Sequence, residues 1–109
     1  MNRVKKNISE IKNRSVSVIG LGRSGVAIAR LANFLSSKVY ISDNSPSISA
    51  KKNLNSLKSI GIQGEIGGHS DKILDTDLLV ISPGVVADSP LILEAQKRGI
   101  KVIGEIEFA

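Results

Sequence analysis

Apolar positions along this chain alternate between two periods. Short apolar runs at 15–19, 38–42, 62–66, 78–81 and 100–103 have strand length, and the residues between them repeat their apolar positions at helical spacing. The first run, Ser-Val-Ser-Val-Ile, empties into Gly20-Leu21-Gly22-Arg23-Ser24-Gly25. Val26, Ala29, Leu31, Ala32 and Leu35 then mark one face of a helix that runs to about Leu35 or Ser36, with small Ala29 and Ala32 suited to close contact with a sheet. The second run, Lys-Val-Tyr-Ile-Ser, ends in Asp43. A loop at 44–49 contains Pro46 and an N-cap at Ser47 or Ser49, and the helix that follows carries Leu54, Leu57 and Ile60 and is closed by Gly61. The third run is interrupted by Gly64, which reads as a weakening. Gly67-Gly68-His69-Ser70 is a loop, 71–74 a short helical turn, and Leu78-Leu79-Val80-Ile81 a continuous apolar strand of the kind covered on both faces. Ser82-Pro83-Gly84 stops that strand. Ser89 then caps a helix with Pro90 at its first position, Leu91, Ile92 and Ala95 inward and Gly99 at its end. Ahead of the first strand, Val4, Ile8 and Ile11 have the spacing of a short amphipathic turn.

Strand and helix in strict alternation require a parallel sheet with right-handed crossovers. The predicted fold class is therefore α/β, a Rossmann-like doubly wound sheet of about five parallel strands with helices on both faces, in strand order 3-2-1-4-5. Residues 1–14 are expected to form a basic N-terminal arm, 15–104 the Rossmann-like domain, and 105–109 the start of a further element. Ligands of such sheets bind at the carboxyl ends of the strands, where strand order reverses. Residues 20–25, 43–45 and 82–85 converge there.

Composition narrows the chemistry. At 109 residues the chain is one domain, able to bury roughly two thirds of its unfolded surface. With 41% hydrophobic but only 3% aromatic residues, the core must be aliphatic. The absence of cysteine excludes disulfides, thiolate chemistry and cysteine-ligated metal. No apolar run approaches the roughly 20 residues of a membrane span, and the N-terminus lacks a signal-peptide core, so a cytoplasmic protein without membrane attachment is expected. Much of the net charge of +5 sits in Arg3, Lys5, Lys6, Lys12 and Arg14. A basic leader without interleaved aromatics reads as a solvated arm and not as a nucleic-acid surface. His69, the only histidine, has no second ligand or nucleophile at a useful spacing and reads as a surface loop residue. Asp71, Asp75 and Asp77 read as caps before the fourth strand, not as metal ligands.

The glycine turn carries the most specific chemistry. Gly20 would make the turn, Gly22 would let a diphosphate approach the unpaired amides of a helix N-terminus, and Gly25 would let the helix pack closely on the sheet. Asp43, 23 residues after Gly20, ends the second strand where an acidic residue accepts hydrogen bonds from a ribose. That pattern alone favours NAD, and an NAD(P)-binding dehydrogenase or sensor domain is the alternative reading. Arg23 inside the turn and the Ser82-Pro83-Gly84 exit fit a dinucleotide domain less well.

Taken in order, Val18-Ile19-Gly20-Leu21-Gly22-Arg23-Ser24-Gly25, Ser42-Asp43, Leu79-Val80-Ile81-Ser82-Pro83-Gly84-Val85 and Gly104-Glu105-Ile106-Glu107-Phe108 resemble the N-terminal domain of the ATP-dependent Mur ligases, in particular the D-glutamate-adding members. The resemblance covers residues 14–109. It implies a Rossmann-like sheet that holds the UDP part of UDP-N-acetylmuramoyl-L-alanine during peptidoglycan precursor synthesis. It implies diphosphate contacts from Gly22, Arg23, Ser24 and Gly25, uracil contacts from Asp43 and Asn44, and a close approach of Gly84 to the uridine. Arg23 stands where the family often has an apolar residue, and Ser45 is shorter than the family's usual contact residue. Structural roles stay open beside these: Ser24 as a helix cap, Asp43 as a turn cap, Gly84 as a turn former. The family forms an acyl phosphate with ATP and magnesium, which the amine of D-glutamate then attacks. The Gly-x-x-x-x-Gly-Lys-Ser/Thr loop needed for ATP is absent from this sequence. The implied picture is a monomeric substrate-binding domain with no catalytic or metal-binding residues and no cofactor of its own, inactive alone. Residues 105–109 would begin the linker to a central domain that holds ATP and magnesium.

Overall fold

The computed structural model describes residues 14–35, 38–81 and 89–104. Five parallel strands, β1 (Ser15–Ile19), β2 (Lys38–Asp43), β3 (Gln63–Ile66), β4 (Leu78–Ile81) and β5 (Lys101–Gly104), form one sheet in the order β3-β2-β1-β4-β5. Helices α1 (Arg23–Phe34), α2 (Ile48–Lys58) and α3 (Pro90–Lys97) connect them, with a 3₁₀ turn at Asp71–Leu74. The expected strand order and alternation are both present. β5 starts one residue later than its apolar run because Ile100 is the buried residue that leads into it, its amide bonded to the Ala95 carbonyl.

Strand alternation sorts the core into two layers. On one face Val16, Val18, Ile41, Leu78 and Val80 pack against Ile28, Ala29 and Ala32 of α1 and Ala50, Leu54 and Leu57 of α2. The alanines of α1 do what their size suggests: both are fully buried, bringing the helix close to the sheet. On the other face Ile19 and Leu79 meet Ile73 and Leu74 of the 3₁₀ turn and Ile92 and Ala95 of α3. Ser47 and Ser89 cap α2 and α3 by accepting from the amides of Ala50 and Ile92, and Pro90 opens α3 where no amide is needed.

Two local features differ from the sequence expectation. Gly64 does not weaken β3 but permits it. A Cβ there would fall against the Ile41 carbonyl oxygen, 2.6 Å from Ile41 Cγ2 and 2.7 Å from Leu54 Cδ1, so the glycine is what lets β3 and α2 close on β2. Asp77 does more than solvate its turn: its carboxylate accepts from the Ser15 amide at 3.1 Å and its own amide donates to the Ser15 carbonyl at 3.0 Å, fastening the start of β1.

Candidate functional site

The glycine turn between β1 and α1 is held from three sides. Gly20 has φ of 115°, a conformation that a side chain resists, and its amide donates to the Ser42 carbonyl at 2.8 Å. Leu21, buried, donates its amide to Asp43 Oδ2 at 2.7 Å, and its carbonyl accepts from Asn53 Nδ2 at 2.7 Å. The turn is thus clamped between the end of β2 and the middle of α2. Nothing in the local sequence marks Asn53, because its partner lies 32 residues away.

Gly22 is the N-cap of α1, with φ of −76° and ψ of −178°. That conformation is open to any residue, and a Cβ placed there meets nothing within 4 Å. Neither conformation nor packing inside the protein therefore explains this glycine. The first backbone bond of the helix runs from Val26 to the Gly22 carbonyl at 3.0 Å, leaving the amides of Arg23, Ser24 and Gly25 ahead of it. Arg23 and Ser24 are exposed and Gly25 is buried on the sheet side. Ser24 lies inside the helix and is not its cap. An N-terminus with no acidic residue in its first turn and with Arg23 beside it is electrostatically suited to an anion.

Asp43 is the node of the site. Besides Leu21, it accepts from the Ser45 amide through Oδ1 at 2.7 Å, and its carbonyl accepts from the Gly67 amide at 2.9 Å. The carboxylate therefore orders the glycine turn, and its remaining lone pairs are what a ligand could use. Asn44 is exposed beside it. Gly84 lies outside the described residues.

Next to this node lies a polar cluster built across β2 and β3, whose register pairs Ser42 with Glu65. Buried Ser42 Oγ lies 3.0 Å from Glu65 Oε2 and 2.6 Å from His69 Nδ1. Glu65 also accepts from the Tyr40 hydroxyl at 2.5 Å and from the hydroxyl and amide of Ser70. His69 is an exposed loop residue, as its sequence context indicates, and it is also tied to a buried hydroxyl. The cluster escaped sequence reading because its members span 30 positions, and only the alternation of Tyr40 and Ser42 on one face of β2 hinted at it.

Burial alone would raise the Glu65 pKa, but the bonds from Ser70, Tyr40 and Ser42 outweigh it and hold the carboxyl below its usual value. Burial first, then the bond to Glu65, push the Tyr40 hydroxyl up to about 12. A depressed carboxyl stabilises the fold above its unfolded pKa and loses that contribution as pH falls through the folded value. The contribution of Glu65 to stability should therefore begin to fade as pH drops below about 4.5, and Glu65→Gln should flatten the acid limb in pH-dependent thermal melts. The raised tyrosine acts in the opposite sense: its contribution is complete below pH 10 and disappears as pH rises through about 12.

A parallel sheet in this order, with a clamped glycine turn at the point where strand order reverses, defines the Rossmann-like class of nucleotide-binding folds. Residues 14–104 match the Mur ligase MurD-like N-terminal domain. The chain belongs to that family. The UDP-N-acetylmuramoylalanine--D-glutamate ligase of Koribacter versatilis is 41% identical over 101 residues, covering 92% of this chain and 22% of that protein. The ligase of the same name from Thermoanaerobacter sp. is 39% identical over 101 residues, with the same coverage. The chain thus spans about a fifth of the length of these curated relatives. Among solved structures, UDP-N-acetylmuramate-alanine ligase MurC from Thermotoga maritima superposes with a TM-score of 0.72 at 22% identity, covering 87% of this chain and 21% of that one. Shikimate dehydrogenase from Aquifex aeolicus superposes at 0.62 with 16% identity, over 98% of this chain and 48% of that one. These two likenesses are likenesses of fold. Among the described residues no helix is long and apolar enough to cross a membrane, and no cluster of acidic, histidine or cysteine side chains could hold a metal ion.

Proposed function

We propose that this chain holds the UDP portion of UDP-N-acetylmuramoyl-L-alanine, as the substrate-binding domain of a cytoplasmic ligase that adds D-glutamate to it using ATP. The observation that carries this reading is Gly22, a glycine with no conformational or packing reason in the protein itself, standing at an uncapped helix N-terminus. A diphosphate passing over it would supply the reason, since any side chain would occupy the space that the phosphate needs. In this reading the amides ahead of the first helical bond and the guanidinium of Arg23 bind the diphosphate, and the Ser24 hydroxyl adds a further donor. Asp43 fixes the turn and, with Asn44, meets the uracil end, while Gly84 gives the uridine room.

The chain's own contribution is binding and orientation. ATP and magnesium would act elsewhere in the full ligase, supplying the acyl phosphate on which the D-glutamate amine acts, and this chain alone would be inactive as a ligase. The NAD alternative is less favoured because Arg23 within the glycine turn and Ser82-Pro83-Gly84 after the fourth strand fit a dinucleotide domain less well.

Calorimetry tests the proposal. UDP-N-acetylmuramoyl-L-alanine should give a saturable heat of binding, and Arg23→Ala should weaken it about tenfold, the worth of one charge-assisted contact. Selective, tight binding of NAD in its place would overturn the reading.

A further inference from the structure

A second concavity lies at the other end of the sheet from the glycine turn. Its floor is laid by the register of three strands, with Ser17 beside Tyr40 and Tyr40 beside Gln63, and with Lys38 opening β2. Its wall is the 3₁₀ turn and the residues after it, which contribute Lys72 and Asp75. The space is about 260 Å³, just under the range of about 300–1,000 Å³ for drug-sized ligands. It therefore has room for a small metabolite and not for a nucleotide.

Two independent features mark it as more than a groove. Ser17 is 1% exposed, and its hydroxyl has no hydrogen-bond partner within the protein. Its neighbours Val16 and Val18 face the α1 and α2 layer, so alternation turns Ser17 toward the concavity. Buried hydroxyls are almost always partnered, because an unpaired one forfeits its hydration. Around it stand Lys38 and Lys72, and neither has an ion-pair partner among the described residues. With Asp75 as the carboxylate on the lining, the balance there is one positive charge. The Tyr40 hydroxyl is already committed to Glu65.

We infer that this concavity is a binding site for a small organic anion, its carboxylate or phosphate group held by Lys38 and Lys72 and a further acceptor taking the Ser17 hydroxyl proton. The site is separate from the glycine turn and does not depend on what that turn binds.

The test is a titration of the isotopically labelled 109-residue chain with succinate and, separately, with inorganic phosphate, read by amide chemical shifts. Saturable shifts at Ser17, Lys38, Gln63 and Lys72 are expected, and the stronger of the two probes identifies the head group. Lys38→Ala and Lys72→Ala should each weaken binding up to about fivefold, the range of an exposed ion pair. Ser17→Ala should weaken binding while leaving the melting temperature of the free protein unchanged or higher, because it removes a hydroxyl without a partner. A lower melting temperature would show a structural role for that hydroxyl and overturn the inference. So would the absence of saturation with both probes, shifts confined to residues 22–25, or binding that emerges only when residues 1–13 are deleted.

Discussion

Serine in place of Gly22 is expected to leave the fold as stable as before, or slightly more so, while weakening binding of UDP-N-acetylmuramoyl-L-alanine roughly ten- to a hundredfold. The two effects have different origins. The backbone at this position is extended and accepts any residue, and no atom stands within 4 Å of a Cβ built there. Serine is moreover a good N-cap, able to accept from an amide of the first turn that glycine leaves uncapped, which contributes a few tenths of a kcal/mol. The same side chain would occupy the volume that the proposed diphosphate contact requires. Overpacking of that kind costs about 1–3 kcal/mol, which sets the expected loss. Thermal melts and calorimetry on the same sample separate the two. Retention of full affinity would show that Gly22 is not the point of approach. Gly20→Ala is the contrasting control: with φ of 115° it should destabilise the fold by about 1–3 kcal/mol regardless of ligand.

The second large effect is on stability alone. Gly64→Ala should lower stability by about 2 kcal/mol and the melting temperature by about 8–16 °C. The added methyl would meet the Ile41 carbonyl on one side and Leu54 Cδ1 at 2.7 Å on the other. The carbonyl belongs to the interior of β2 and Leu54 to the buried face of α2, so relief requires α2 to move away from the sheet. An unchanged melting temperature would mean that β3 can shift without loss, and that the close approach is not a constraint on the fold.

Local signals made most of the architecture readable. The glycine turn is contiguous, the Ser89-Pro90 start of α3 is a two-residue signature, and the uninterrupted apolar run of β4 could only be a strand covered on both sides. Handedness and crossover rules then ordered the strands. What the sequence hid is what depends on pairs distant along the chain. Gly64 reads as a defect until α2 and β2 are placed against it. Asn53 is an ordinary polar helix residue until the Leu21 carbonyl is found 2.7 Å away. Ser42, Glu65, His69 and Ser70 form one cluster only because β2 and β3 pair in the observed register. For the candidate site, the place of Asp43 at the end of β2 was legible, but its double service to main-chain amides was not, since that depends on how the turn folds back over the end of β2.

Whether the glycine turn cradles the diphosphate of a UDP-linked substrate can be read from amide chemical shifts of the labelled chain titrated with UDP-N-acetylmuramoyl-L-alanine and with NAD. Saturable shifts are expected at Gly22, Arg23, Ser24, Gly25, Asp43, Asn44 and Ser45 with the UDP substrate and none with NAD. Saturable shifts of the same amides with NAD and none with the UDP substrate would contradict that reading.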